Sequence, residues 1–307
     1  MTKIATSASQ IFAHLKGLLC LHKPGGMSVG AILETLNRNV IKDLNEANPD
    51  YLQRLRKNQK IQENGGLIDY SSHPLVLGDV YEDQDIEFQL VNSVSDFTSG
   101  LLLVTVNDII TNEMLHDAML PKQYIVDLTL GKATDNSFCH GKVLERSTFA
   151  HLKNRPQILE KAMAQICSAH QRDAFKQAGV NLQSQEAYDM AVKGLVRPVK
   201  EQAGCAIIYR MECVHFQPPK VKLKVTCINE SPIYLAELSA ELGLKLRTNA
   251  VLDRLQLVSY GPFATQDSIL SKSMSLQQVL NNISDNHSKL LVLKQMVNQQ
   301  NPTLTQI

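Results

Sequence analysis

Apolar and polar positions follow two different spacings along the chain, and this mixture predicts both strands and helices. A continuous apolar run at Leu18–Leu21 is followed by Pro and Gly residues, which predicts a buried strand that ends in a turn. After the turn, Ile32, Leu33 and Leu36 recur at helical spacing, and Ser28 is a candidate N-cap. The pattern therefore predicts a strand followed by an amphipathic helix.

The same reasoning places further elements along the chain. Strands are predicted over 101–106, 124–130, 205–214 and 221–228. Helices are predicted over 108–119, 155–170, 184–193, 234–242 and 265–282, and Gly194 and Gly243 are expected to end two of them. Residues 42–66 are interpreted as a polar surface insertion and residues 284–307 as a polar tail.

The order of these elements indicates the fold class. Strands and helices interleave without regular βαβ spacing, which favours an α+β domain with a large, mixed and mostly antiparallel sheet flanked by helices. The sequence contains no repeat and no Gly- or Ser-rich linker, so we predict one domain over residues 17–283.

The net charge of +1 does not by itself indicate a nucleic-acid-binding protein. An RNA-binding role therefore requires a local basic patch. The densest cluster of basic residues is Arg54, Arg56, Lys57 and Lys60. This cluster is either a solvated helix face or a surface that contacts RNA phosphates.

The cysteines and the apolar runs argue against two other classes of protein. None of the 6 cysteines forms a Cys-x-x-Cys motif, and no pair of histidines has zinc-finger spacing, so we expect reduced thiols and no structural metal. No apolar run approaches the ~20 residues of a membrane span.

The first residues of the chain lack acidic side chains. No Asp or Glu precedes Glu34, whereas Lys3, Lys16 and Lys23 do. Residues 1–16 also contain Ser, Thr and spaced apolar side chains, a composition typical of a mitochondrial targeting segment. The alternative is a short frayed tail.

Six short motifs occur in a fixed order between residues 17 and 263. They are the segments 17–28, 99–104, 122–124, 130–135, 185–191 and 252–255. Together they resemble the TruB-type pseudouridine synthases. Residues 73–76, 131–134 and 185–198 are similar to the mitochondrial mRNA-modifying branch, which has no separate C-terminal RNA-binding domain. Few residues follow Phe263, in agreement with that resemblance.

The resemblance implies a chemistry and a set of site residues. A uridine in RNA is flipped into a pocket, an Asp drives cleavage of the glycosidic bond, and the base reattaches through carbon without a metal or organic cofactor. Tyr124 corresponds to a Tyr that stacks on the base, although it could be an ordinary strand residue. Lys122 lies beside the pocket or in solvent, Tyr188 packs beneath the site or contacts RNA, and Arg254 binds RNA backbone or a surface acid.

The catalytic Asp of the family and its Arg partner are both missing from the matching positions. Ser95 occupies the Asp position, five residues before Gly100, and Ala236 occupies the Arg position. A serine hydroxyl without an adjacent base is a weak nucleophile. Asp96 is one residue later, and a shift in the loop could present its carboxylate instead. We therefore take Asp96 and Ser95 as the candidate catalytic residues.

Three functions follow from these observations. The first is isomerisation of uridine to pseudouridine in mitochondrial RNA, either mRNA or another structured RNA, with Asp96 in the nucleophile's place. The second is an RNA-binding or scaffold protein that has kept the fold and lost the chemistry. A third is a structural subunit of a mitochondrial RNA-processing assembly. The acid-free start of the chain and the resemblance to the mitochondrial branch both favour a mitochondrial location.

Overall fold

The computed structural model describes residues 8–47, 81–193 and 206–300 of the chain. The basic cluster at 54–60, the motif at 73–76 and Gly194 lie outside the described residues. The helices are α1 (Ala8–His14), α2 (Val29–Glu46), α3 (Ile109–Asp117), α4 (Pro156–Gln177), α5 (Gln185–Lys193), α6 (Pro232–Lys245) and α7 (Leu276–Gln300). The strands are β1 (Gly17–Lys23), β2 (Phe88–Leu90), β3 (Ser99–Val106), β4 (Lys122–Leu130), β5 (Lys132–Thr134), β6 (Val143–Arg146), β7 (Ile207–Gln217), β8 (Lys220–Ile228), β9 (Ala250–Tyr260), β10 (Phe263–Ala264) and β11 (Ile269–Leu270).

The first of two compact units contains the described residues before 94, those from 102 to 116, and those from 266 onward. Its strand β1 lies between β11, which is parallel to it, and β3. The apolar run that predicts β1 is buried. The Cys20 backbone N–H donates to Asn282 Oδ1 at 2.9 Å, and this hydrogen bond ties helix α7 to the strand.

The second unit contains residues 94–101 and 117–265. Its strand β4 is antiparallel to both β8 and β9, β7 is antiparallel to β8, and the start of β3 is parallel to β9. Helix α4 packs on β7 and helix α6 packs on β9. With these mixed but mostly antiparallel strands and flanking helices, the predicted α+β fold class is confirmed.

Residues alternate between the two sides of the sheet in the second unit. Tyr124, Val126 and Leu255 are buried, and we call their side the buried face. Asp127 and Arg254 are register partners on the other side, which is less covered and which we call the open face. These two faces separate the candidate site residues.

Helix α2 begins where the sequence predicts, after Ser28, but its C-terminal end lies further along the chain than predicted. Ser28 is the N-cap, since its Oγ accepts a hydrogen bond from the Ala31 N–H at 3.3 Å. Residues 42–46, which were assigned to a surface insertion, belong to this helix. Leu44 is buried and Asn45 bonds to Tyr81. Tertiary packing therefore continues the helix into a polar stretch of sequence.

The predicted ends of two later helices are wrong. Helix α6 continues through Gly243 to Lys245. A Cβ on Gly243 would lie 2.6 Å from the backbone N of Ala250, so this glycine permits close packing on β9 and does not end the helix. The helix predicted over 265–282 begins at Leu276 and runs to Gln300, so residues 284–300 are helical and not a tail.

Helix α1 occupies part of the segment assigned to mitochondrial targeting. Leu15, which follows the helix, is buried, and the Phe12 ring stacks on Tyr81 with 5.3 Å between ring centroids. Residues 8–15 therefore pack as part of the first unit. A targeting role for residues 1–16 stays a prediction.

Gly100 allows β3 and β9 to approach each other closely. It has a φ of +108°, and a Cβ at this position would lie 2.1 Å from the carbonyl oxygen of Leu257. Both the backbone conformation and the lack of space require glycine here. This contact fixes the strand that follows the candidate catalytic loop.

We expect Gly100→Ala to lower the free energy of unfolding by about 3 kcal/mol or more, because the new methyl group meets backbone atoms. Gly30→Ala is the matched control, since a Cβ there meets nothing within 4 Å. The control should change stability by no more than about 1 kcal/mol. Urea unfolding of both variants checks this, and an equal effect of the two substitutions would contradict the account.

Candidate active site

Residues 95–98 form a turn that leads into β3. The Thr98 N–H donates to the Ser95 carbonyl at 3.1 Å, and the two hydroxyl oxygens are 3.0 Å apart. The Ser95 hydroxyl therefore hydrogen bonds to Thr98, which is not a base. Asp96 is exposed at the tip of this turn. Asp96 is thus the carboxylate that the turn presents.

An aromatic cluster holds the turn in place. The Phe97 ring packs edge-on against Phe138, with 4.9 Å between centroids, and lies 5.7 Å from the His140 ring. The Cys139 N–H donates to the Leu252 carbonyl at 2.8 Å, which attaches this cluster to β9. The position of Asp96 is therefore constrained by the packing of its neighbour Phe97.

A buried carboxylate joins the two predicted residues of β4. The Tyr124 hydroxyl donates to Glu230 Oε1 at 2.6 Å, and Lys122 Nζ donates to the same oxygen at 3.0 Å. The Glu230 side chain is 1% exposed and that of Lys122 is 17% exposed. Lys122 is therefore not a solvated surface residue. Glu230 lies between β8 and α6, directly before Ser231, the N-cap of that helix.

Cys227 and Tyr260 complete this group, and we call the five residues the Glu230 cluster. Both are register partners of Lys122, one on each neighbouring strand. Lys122 Nζ lies 5.5 Å from the centre of the Tyr260 ring, within the range of a cation–π contact. Among the described residues, Glu230 Oε2 has no hydrogen-bond partner although it is buried.

Burial and the charge of Glu230 keep the neighbouring groups protonated. Burial first, and then the Glu230 charge, raise the pKa of Tyr124 well above its ordinary value. The same two causes raise the pKa of the Cys227 thiol and raise the pKa of Tyr260 to about 12. The cluster therefore contains neutral hydroxyl and thiol groups around one carboxylate at neutral pH.

Strand register relates the turn to the Glu230 cluster. Gly100 pairs with Leu257, and Leu257 pairs with Tyr124. Gly100 and Tyr124 are thus two strands apart, about 10 Å at the usual strand spacing. The turn that carries Asp96 and the cluster that carries Tyr124 belong to the same compact unit.

Arg254 lies on the open face, away from the Tyr124 side of the sheet. It lines a groove of about 420 Å³ together with Asp127, Leu128, His215, Lys220, Val221, Lys222 and Asp253. Lys222 Nζ is 3.5 Å from Asp127 Oδ1, and Lys220 forms an ion pair with Asp253. Arg254 is exposed, and none of the ion pairs between described residues includes it.

The structure changes the interpretation of two other positions. Tyr188 on α5 is 65% exposed, so the prediction that it packs beneath the site is wrong. Ala236 on α6 is fully buried, and two residues earlier Tyr234 bonds to His170 with 3.0 Å between Oη and Nε2. A cation at position 236 would be buried and would need a carboxylate partner.

Sequence reasoning missed Glu230. It lies 106 positions after Tyr124, so no local pattern links the two residues. An acid directly before Ser231 and Pro232 is typical of a solvated helix start, where it interacts favourably with the helix dipole. The available signal was segment 122–124, the Lys-x-Tyr motif formed by Lys122 and Tyr124, because its two polar side chains need a partner where the strand is buried.

Comparison with known proteins now places the chain in a family. Residues 95–233 match the TruB family pseudouridylate synthase (N terminal domain). The chain is 30% identical to the mitochondrial pseudouridylate synthase TRUB2 of Mus musculus over 282 residues, which cover 87% of this chain and 82% of the mouse protein. It is 30% identical to Homo sapiens TRUB2 over 89% of this chain and 83% of that protein.

These similarities extend over most of each chain. A weaker one, 24% identity to Homo sapiens pseudouridylate synthase TRUB1, covers 83% of this chain and 64% of that protein. The protein belongs to the TruB family of pseudouridylate synthases.

The described residues were also compared with the requirements for a membrane span and for a metal site. No described helix is both long and apolar enough to cross a bilayer. Likewise, the described ranges contain no group of three or more His, Cys, Asp or Glu side chains that could hold a metal ion.

The contribution of Asp253 to the free energy of unfolding is expected to depend on pH. Burial alone would raise the pKa of its carboxyl, but hydrogen bonds from Lys220 and Thr129 outweigh burial and lower it. A carboxyl with a lowered folded-state pKa stabilises the fold above its unfolded pKa, and this contribution is lost as the pH falls through the folded pKa.

We therefore expect Asp253→Asn to destabilise the protein most at neutral pH. The difference from the wild type should shrink as the pH falls from about 7 to about 3, the range in which carboxyls titrate. Urea unfolding across this range measures the difference. A difference that does not change with pH would show that Asp253 does not contribute through its charge.

Proposed function

We propose that this protein isomerises uridine to pseudouridine in RNA. Its membership of the TruB family supports this function. The observation that carries it is the environment of Tyr124, which is held by a charge-assisted hydrogen bond to Glu230 at the position of the family's Lys-x-Tyr motif. The pairing holds the motif's tyrosine and lysine on one buried carboxylate.

The proposed reaction balances without a cofactor. The bond between C1′ of the ribose and N1 of uracil breaks, the base rotates, and a bond forms between C1′ and C5. The hydrogen on C5 leaves as a proton, and N1 gains one. We assign the carboxylate that drives cleavage to Asp96, because the turn presents this side chain while the Ser95 hydroxyl bonds to Thr98.

Tyr124 supplies the surface for the flipped base. Stacking of a base on an aromatic ring contributes about 1–3 kcal/mol. The side chain is 6% exposed, so the residues that cover it must move before a base can stack. Its raised pKa keeps the hydroxyl protonated at neutral pH, and a neutral ring does not repel the phosphate-rich substrate.

The groove on the open face is our proposed contact for RNA phosphates, with the exposed Arg254 as the cation that binds them. The net charge of +1 fits a small number of phosphate contacts. We further propose a mitochondrial location and a mitochondrial RNA substrate, because similar relatives carry the description mitochondrial in their names. Association with a mitochondrial RNA-processing assembly is part of this proposal.

A second candidate function is RNA binding without catalysis. The specific observation in its favour is that Ser95 and buried Ala236 occupy the positions of the family's Asp and Arg. Loss of both partners avoids an unpaired buried charge. The following experiment separates the two functions.

Purified protein is incubated with RNA that carries tritium on C5 of uridine, and tritium release is measured. We expect release by the wild type and a fall to background for Asp96→Ala, because the reaction needs a carboxylate at C1′. Asp285→Asn on α7 removes an exposed acid and is the control, which should retain release.

Two results would contradict this account. Activity of Asp96→Ala would exclude Asp96 as the essential carboxylate. An inactive wild type whose RNA affinity falls on Tyr124→Ala would mean that the protein acts by binding alone.

Arg254→Ala tests the phosphate contact. We expect weaker RNA binding. The slope of log K against the logarithm of salt concentration should also become less steep by about 1, because one fewer counterion is released on binding. Filter binding at several salt concentrations measures the slope. Arg38→Ala, an exposed arginine on α2, is the control. An unchanged slope for Arg254→Ala would exclude the contact.

A further inference from the structure

The Glu230 cluster contains a buried ion pair that the family motifs do not include. Glu230 and Lys122 lie at 3.0 Å, and the carboxylate is 1% exposed. A buried carboxylate is costly to desolvate, and removal of its partner leaves an uncompensated charge. Lys122 is therefore the countercharge that a carboxylate in this buried position requires.

One atom anchors both residues of the Lys-x-Tyr motif. Lys122 and Tyr124 are two positions apart on β4, so their side chains share a face, and Glu230 Oε1 accepts from both. The Tyr124 ring is fixed at two ends, by its backbone in the strand and by its hydroxyl on the carboxylate. Rotation of the Tyr124 side chain about its Cα–Cβ bond is therefore restricted.

We propose that Glu230 is a positioning residue for the reaction, which fixes the Tyr124 ring and the Lys122 ammonium where the flipped uridine enters. This inference rests on the proposed function. The carboxylate acts through the two other side chains, since its Oε1 accepts hydrogen bonds from both of them. The site thus places its buried ion pair at 122 and 230, while positions 95 and 236 hold uncharged residues.

Two substitutions separate the charge of Glu230 from its hydrogen bond. Glu230→Gln keeps an oxygen that can accept from Tyr124 but removes the charge that pairs with Lys122. Glu230→Ala removes both. Glu237→Gln is the matched control, because it removes the same charge from an exposed position on α6. Circular dichroism first checks that each variant is folded.

The first readout is the kinetics of uridine conversion. We expect Glu230→Gln to lower kcat by about 10- to 100-fold, the factor carried by a charge-assisted hydrogen bond, with a smaller change in KM. Glu230→Ala should lower kcat further, and Glu237→Gln should match the wild type. In a Tyr124→Phe background the effect of Glu230→Gln should be smaller, because the hydroxyl through which it acts is already gone.

The second readout follows Tyr124 directly. The chain has 8 Tyr and 0 Trp, so tyrosinate absorbance is measured without a tryptophan background. The difference between each protein and its Tyr124→Phe counterpart isolates Tyr124. Its ionisation should move to lower pH in Glu230→Gln, since the charge that opposes ionisation is removed.

The outcomes distinguish this inference from the proposed function. If the wild type converts uridine and Glu230→Gln retains its kcat to within about twofold, the positioning role is wrong. If the wild type converts no uridine, the proposed function fails, and RNA affinity decides the role of Glu230. If Glu230→Gln lowers RNA affinity in the wild-type background but not in the Tyr124→Phe background, positioning of Tyr124 is supported. If it lowers affinity equally in both backgrounds, the positioning role is overturned.

Discussion

The pairing of Glu230 with Lys122 and Tyr124 is the interaction on which the candidate site depends. A carboxylate that is 1% exposed must be matched by a cation and by hydrogen-bond donors, because the low dielectric of the interior penalises an unpaired charge. Strand β4 supplies both partners, and the connection between β8 and α6 supplies the carboxylate. The pairing therefore links three elements of the second unit at the point where the family's Lys-x-Tyr motif lies.

The same constraint explains the composition of the rest of the site. The resemblance implies an Asp at position 95 and its Arg partner at position 236, and an Arg at the buried position 236 without that partner would be an uncompensated charge. This chain has a serine whose hydroxyl belongs to a turn and an alanine on the buried side of α6. The turn retains one carboxylate, Asp96, at its exposed tip. The proposed site thus combines the buried Lys122–Glu230 ion pair with the exposed Asp96, where the family motifs predict an Asp–Arg pair.

Periodicity and local motifs predicted the fold class, most strand positions and the β4 residues of the site, because each depends on neighbours in the sequence. These patterns gave wrong or missing predictions where contacts between distant parts of the chain determine a helix end or a site residue. Gly243 was expected to end α6, but its lack of a side chain serves packing on Ala250. Glu230 could not be found because its partners are more than 100 positions away, and Arg254 was grouped with Tyr124 although strand alternation places them on opposite faces.

The most direct test of the central claim is photocrosslinking of RNA that carries 5-iodouridine at the target position, followed by mass spectrometry of the modified peptide. Crosslinking by this base favours aromatic side chains that stack on it. The account predicts a crosslink on Tyr124 that weakens in Glu230→Ala, because the ring is no longer held. A crosslink confined to other residues, with Tyr124 unmodified in the wild type, would contradict the claim that the Glu230 cluster forms the wall of a uridine pocket.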